Sequence, residues 1–238
     1  MKTIVISDVH YPFHDEVYEK VKEYIVSEQP EYLIVNGDWI DAFSVSTHPR
    51  HYDIRVSLVD EIEWLKKEMT WLHKNLPKTK KYYIIGNHEH RINAYVARNA
   101  FEMIGVSGVD FRDQIDIEGW DIVYSGIKES DMMHWGYAVG HYDKASANAG
   151  YCVTRLMMSL GTNVIQAHGH KNAMVTRRTK NGLFFGFESG CLRTLDTEYS
   201  IHSNWGHGFV EIVKQGIHTF AYNVPIVDGY FYINGKIY

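Results

Sequence analysis

Short runs of β-branched and aromatic residues at 3–6, 32–35, 82–85, 137–139 and 163–166 have strand length, and each stops at a polar signal. Between them the apolar positions take helical spacing. Val17, Val21, Tyr24 and Ile25 predict a helix over 15–28, with Pro30 just past its end. Val59, Ile62, Trp64, Leu65, Met69, Leu72 and Leu76 predict a second over 56–76, stopped by Pro77. Tyr95, Val96, Phe101 and Ile104 predict a third over 92–104, ended by Gly105. A fourth spans 146–160, with Gly161 as its C-terminal cap. The stretch 105–136 is rich in Gly and Asp and reads as connecting structure, with one strand-like segment at 121–125.

Beyond His170 the pattern changes to short strands at 173–179, 183–187, 208–213, 217–222 and 230–233. Lys180-Asn181-Gly182 is a hairpin signal, and Lys214-Gln215-Gly216 and Ile233-Asn234-Gly235 read as further turns. A strand–helix–strand first half is followed by an antiparallel half. In open α/β sheets ligands are held at the carboxyl edge of the strands, which is where each polar signal stands. The signals run from residue 8 to residue 170 without a linker, so a single domain over 1–238 is expected.

At 238 residues the chain can bury one substantial core, and its net charge of −5 argues against a whole-surface nucleic-acid binder while leaving room for a local basic patch. The longest apolar runs are too short to span a bilayer, and no signal-peptide core precedes the first strand. A soluble, cytoplasmic protein with no membrane partner is the expectation. Cys152 and Cys191 make no metal-spaced pair, which predicts free thiols in a reducing compartment. The 14 histidines change the picture more than any of this.

Five of them belong to the polar signals. These read Ser7-Asp8-Val9-His10, Gly37-Asp38-Trp39-Ile40-Asp41, Gly86-Asn87-His88-Glu89, Gly140-His141 and His168-Gly169-His170. Asp, Asn and His suit borderline divalent metals such as manganese, iron, zinc or nickel, whereas a structural zinc site calls for thiolates. Two ions about 3.5 to 4 Å apart can share a carboxylate, polarise a phosphoryl oxygen and bridge a hydroxide for in-line attack. Such a centre needs roughly seven ligands if each ion keeps a position open, and the signals supply that number.

The order and spacing of these motifs resemble the calcineurin-like metallophosphoesterase superfamily. Its pattern is Asp-x-His near the N-terminus, Gly-Asp-x-x-Asp, Gly-Asn-His with Asp or Glu, a lone His, and a closing His pair. The resemblance covers residues 1–170. It implies a four-layer α/β/β/α sandwich of two mixed sheets flanked by helices, with the metal site at the carboxyl ends of the strands. It implies Asp8, His10 and His170 on one divalent ion, Asn87, His141 and His168 on the other, and Asp38 bridging. Manganese is the first candidate for both ions. His88 corresponds to the family's catalytic histidine, and Asp41 to its orienting partner, since a carboxylate on one ring nitrogen fixes the tautomer.

Each assignment has a plainer alternative. Asp8, Asp38 and Asn87 also suit turns after strands, and Asp41 suits a helix cap. His134 competes with His141 for the fourth motif; the strand leading into His141 favours the latter. Arg91 suits bidentate capture of a phosphate oxygen and equally a solvated helix face. Tyr11, Trp39, Tyr142, His202, Trp205 and His207 are candidates both for a substrate groove and for packing. Lys78, Lys80, Lys81 and Arg177-Arg178 suit anion steering or a solvated face.

The implied activity is hydrolysis of a phosphoester, with nucleic acid, nucleotides and phosphoproteins as candidate substrates. Protein phosphatases of the superfamily follow Gly-Asp-x-x-Asp with Arg, where this chain has Ala42, and lack the second histidine of the final pair. The chain is therefore closer to the phosphodiesterase and nuclease branches, with a phosphomonoesterase as the alternative and a non-catalytic scaffold as a third reading.

Overall fold

The computed structural model describes residues 1–48, 55–124, 130–196 and 203–238. In chain order its strands are β1 (Lys2–Ile6), β2 (Tyr32–Asn36), β3 (Lys80–Ile84), β4 (Trp120–Val123), β5 (Ser130–His134), β6 (Tyr137–His141), β7 (Asn163–Gln166), β8 (Asn172–Thr179), β9 (Gly182–Ser189), β10 (Gly208–Gln215) and β11 (His218–Pro225). The helices are α1 (Val17–Glu28), α2 (Leu58–Asn75), α3 (Asn87–Asn99), α4 (Phe111–Gln114) and α5 (Tyr151–Leu160). One sheet runs β11-β10-β1-β2-β3-β4, parallel from β1 to β4 and antiparallel through β10 and β11. The other runs β5-β6-β7-β9-β8, parallel at its centre and antiparallel at both edges.

Side chains alternate across a strand, and here both faces are covered, so the central strands are apolar throughout. Ile4, Ile6, Leu33, Val35 and Tyr83 face α1 and α2, whose Val21, Ile25, Leu65 and Leu72 complete that core. Val5, Ile34 and Ile84 point the other way, onto Val139, Ile165 and Phe187 of the second sheet. Val153 and Met157 of α5 cover the outer face of that sheet at Ala138 and Val164. The result is the expected four layers.

Several elements differ from the sequence expectation. The third helix starts at Asn87, because the Glu89 carboxylate accepts the Gly86 N–H at 2.8 Å and starts a helix with no apolar residue in its first turn. The fourth starts at Tyr151, since Gly150 adopts φ +78° and breaks the spacing before it. Residues 130–134, read as connecting structure, form the edge strand β5. It joins β6 through Trp135 and Gly136, with φ of 47° and 86°, the backbone of a tight hairpin turn. Near the C-terminus the expected strand is broken up: Tyr230 bridges Val227, and Tyr232–Ile233 forms a ribbon with Lys236–Ile237.

Candidate metal centre

β1, β2, β3, β6 and β7 all end on the same edge of the sandwich. Asp8 and His10 follow β1, Asp38 follows β2, Asn87 and His88 open α3 after β3, His141 ends β6, and His168 and His170 follow β7. Asp8, His10, Asp38, His168 and His170 have left-handed φ between 51° and 76°. Such backbone costs a non-glycine residue about 1–3 kcal/mol. It turns each of these side chains back over its strand end.

The side chains converge in three overlapping groups, Asp8/His10/His170, His10/Asp41/His88 and Asp38/His141/His168, with ligating atoms within 4.8 Å of one another in each. Asn87 joins the last, its Oδ1 lying 2.9 Å from His141 Nε2 and 2.7 Å from His168 Nδ1. Asp38 Oδ2 stands between the groups, 3.7 Å from His10 Nε2 and 3.2 Å from His141 Nε2.

Surrounding hydrogen bonds fix the ring tautomers. His141 donates its Nδ1–H to the Asn36 carbonyl at 3.0 Å, and His10 Nδ1 faces the Asp41 carboxylate at 3.1 Å. Each ring then turns its Nε2 inward. His141 Nε2 meets the oxygens of Asp38 and Asn87, and His10 Nε2 is hydrogen-bonded to His170 Nε2 at 3.1 Å. Nitrogen and oxygen atoms this close need a proton or a cation between them. The buried Asp38 Oδ2 has no hydrogen-bond partner among the described residues, as a metal-bridging oxygen would lack one. The donor set therefore fits a pair of divalent ions.

The electrostatics agree. Burial opposes the charge on Asp8 and Asp38, yet His170 and His141 beside them hold both carboxyls far below the usual range. Burial also pushes the His141 imidazole down, but Asp38 outweighs it and raises the ring to about 10. His170 goes the other way, to about 4, because burial outweighs the pull of Asp8. The site thus traps positive charge between its carboxylates.

His88 Nδ1 donates to the Asp41 carbonyl at 2.8 Å, while the Asp41 carboxylate is 3.4 Å away and closer to His10. Arg91 reaches both, at 3.0 Å from the Asp41 carbonyl and 2.9 Å from His88 Nε2. His134 lies at the opposite end of the sheet, bonded to Thr3 Oγ1 at 2.8 Å and stacked on Trp135, while His141 faces Asp38.

Of the aromatic groove candidates, Trp39 is a core residue, Tyr11 stacks on Trp64, and Tyr142 donates to Asp131. Trp205 packs on His170 with ring centres 4.4 Å apart, and His207 bonds the Arg193 carbonyl. His202 lies outside the described residues. Lys80 and Lys81 begin β3, at the far end from the site, and Arg177 and Arg178 sit toward the distal turn of the β8–β9 hairpin.

Two residues carry weight that the motifs did not assign. The buried Glu89 carboxylate accepts N–H groups from Asp38, Trp39, Ile40 and Gly86 and the Tyr83 hydroxyl. It fastens the Asp38 loop to the start of α3. Glu61 of α2, equally buried, accepts the N–H groups of Ala42 and Phe43 and holds the loop after Asp41. Gly37 and Gly86 let the loops approach, since a Cβ would overlap the His141 ring at the first and the Asp38 carboxylate at the second. Glu89 stood within a quoted motif; Glu61 gave no signal beyond one acid in an amphipathic helix.

The family model for calcineurin-like phosphoesterases matches residues 1–180. The chain belongs to that family. It is 25% identical over 253 residues to the Gene 54 protein of Mycobacterium phage L5, covering 100% of this chain and 98% of that protein. The Gene 54 protein of Mycobacterium phage D29 is 23% identical with the same coverage. Among solved structures, wild-type Vps29 from Entamoeba histolytica complexed with zinc has a TM-score of 0.49 at 11% identity, covering 100% of this chain and 97% of that chain. Yfce, a phosphoesterase from E. coli, has a TM-score of 0.43 at 15% identity, covering 89% and 87%. Among the described residues no helix is long and apolar enough to cross a membrane.

Proposed function

We propose that this chain is a phosphodiesterase dependent on two divalent ions, with manganese as the first candidate. Asp8, His10 and His170 hold one ion, Asn87, His141 and His168 the other, and Asp38 serves both. Such a pair supplies Lewis acidity toward the phosphoryl oxygens and lowers the pKa of the attacking water. The protein's own part is positional. Because the His88 Nδ1–H is committed to the Asp41 carbonyl, Nε2 is the atom that hands a proton to the leaving oxygen. Arg91 shares that nitrogen. Once Nε2 is protonated the two cations repel, and Arg91 turns to a phosphoryl oxygen that it can grip in bidentate fashion.

The observation that carries the diester reading is a cavity of about 670 Å³ beginning at Asn87 and Arg91. It follows α3 past Ala94 and Arg98 toward Ile104 and Val109. Either ester class has an organic group to place in this space, and a diester or a nucleic-acid strand has a second one, which the length of the cavity along α3 suits. Ala42, in the position where the protein phosphatases carry Arg, supports the same choice. The test is to assay manganese-loaded protein on bis-p-nitrophenyl phosphate, p-nitrophenyl phosphate and single-stranded DNA. Hydrolysis of the diester is expected, and activity confined to the monoester refutes the reading. Failure to bind manganese at micromolar concentration would leave a scaffold as the better account.

A further inference from the structure

Arg193 follows β9 and is only 4% exposed. Its guanidinium carbon stands 5.2 Å from the centre of the Trp205 ring and 5.8 Å from that of Phe13. Among the described residues it pairs with no carboxylate, and its buried Nε has no hydrogen-bond partner. A cation taken out of water without a counter-charge is strongly unfavourable, and aromatic faces offset only part of that.

The backbone holds this residue firmly where it is. Leu192 N–H donates to the Asp8 carbonyl at 3.0 Å, Thr194 N–H to the Phe13 carbonyl at 2.9 Å, and His207 Nε2–H to the Arg193 carbonyl at 2.8 Å. Trp205 lies against both the Arg193 guanidinium and the His170 ring. The cation and His170 thus pack on the same indole, which places Arg193 beside the metal centre. The fold spends stability to keep an unpaired cation beside a site built for cations, and an anion bound between them resolves the conflict.

We propose that Arg193 is a phosphate-binding residue, its guanidinium taking a non-bridging oxygen of the phosphoryl group from the His170 side, as Arg91 does from the His88 side. The assignment rests on the phosphoester reading above and adds a second grip on the phosphoryl group.

The test uses manganese-loaded wild type, R193M and R193K, with inorganic phosphate as the probe. Phosphate affinity is read by calorimetry, metal content by elemental analysis, and thermal midpoints with and without phosphate. R193M should keep full metal content and bind phosphate roughly 10- to 100-fold more weakly. Its midpoint without phosphate should equal or exceed that of wild type, and the phosphate-induced rise should vanish. Unchanged phosphate affinity overturns the proposal, as does a fall in both midpoint and metal content, which marks a structural arginine. If R193M does not fold, R193K decides: it keeps the charge without the planar fork, so weaker phosphate binding at full metal content supports the proposal and unchanged binding overturns it. Loss of phosphate binding in R193M, with no diester hydrolysis by wild type, would uphold Arg193 and refute the diesterase reading alone.

Discussion

Replacing Glu89 by Gln tests whether one buried carboxylate assembles the site. Its Oε1 accepts from Trp39 N at 2.8 Å, Ile40 N at 3.3 Å and Tyr83 Oη at 2.7 Å, and its Oε2 from Asp38 N at 3.1 Å and Gly86 N at 2.8 Å. An amide keeps one of these acceptors and turns its NH2 on the other set of donors. If the oxygen stays with Trp39 and Tyr83, the N–H groups of Asp38 and Gly86 are left buried and unpaired, at about 1–3 kcal/mol each. Against this, burial and the neighbouring Asp38 raise the Glu89 pKa, so a neutral side chain recovers part of the cost of the charge. The expected net loss is therefore in the lower half of the sum, about 2–4 kcal/mol. For a chain of this size that lowers the thermal midpoint by roughly 5–15 °C. The freed N–H groups flank Asp38 and Asn87, so manganese binding should weaken as well. The assays are a circular-dichroism melt of the metal-free and manganese-loaded protein and elemental analysis. A Glu89→Gln protein that melts within about 1 °C of wild type and loads both ions would refute this reasoning.

Four further outcomes are expected. Asp38→Ala should remove the shared oxygen, leaving less than two ions per chain by elemental analysis and almost no diester turnover. His88→Ala should lower kcat by roughly 10²- to 10⁴-fold with metal content unchanged, and loss of metal would contradict its role as proton donor. Asp41→Asn, whose carboxylate is closer to His10 than to His88, should weaken manganese binding by about 10- to 100-fold. An effect on kcat alone in a metal titration would show that it serves His88 instead. His134 is depressed to about 4 by burial and then by Lys214. A histidine depressed in the fold contributes stability that is present above its unfolded pKa and is lost as pH falls from about 6.5 toward 4. His134→Gln should flatten the decline in thermal midpoint over that window, and an unaltered slope would exclude this linkage.

Much of the fold was legible because the central strands are buried on both faces and read as unbroken apolar runs. The candidate site was legible because its candidate ligands stand immediately after those runs. Edges were harder. β5 carries Ser130, Asp131 and His134 and turns through Trp135 and Gly136, and a Trp at φ 47° answers to no turn preference. It is fixed there by stacking on His134 and contact with Tyr32. Arg193 and Glu61 were invisible for a related reason. Each lies in a segment with no motif, and only tertiary packing brings it beside the candidate site.

The candidate ligands come from both halves of the sandwich, Asp8, His10, Asp38 and Asn87 from one sheet and His141, His168 and His170 from the other. No single loop sets the spacing between the two halves of the centre. Val5, Ile34 and Ile84 set it where they seat against Val139, Ile165 and Phe187. Close-packed interiors compress little and pass displacement on. The inter-sheet core therefore acts as a gauge block for the candidate metal centre: a methyl group trimmed from it is felt in the spacing between the two sets of candidate ligands, far from any residue of the centre itself.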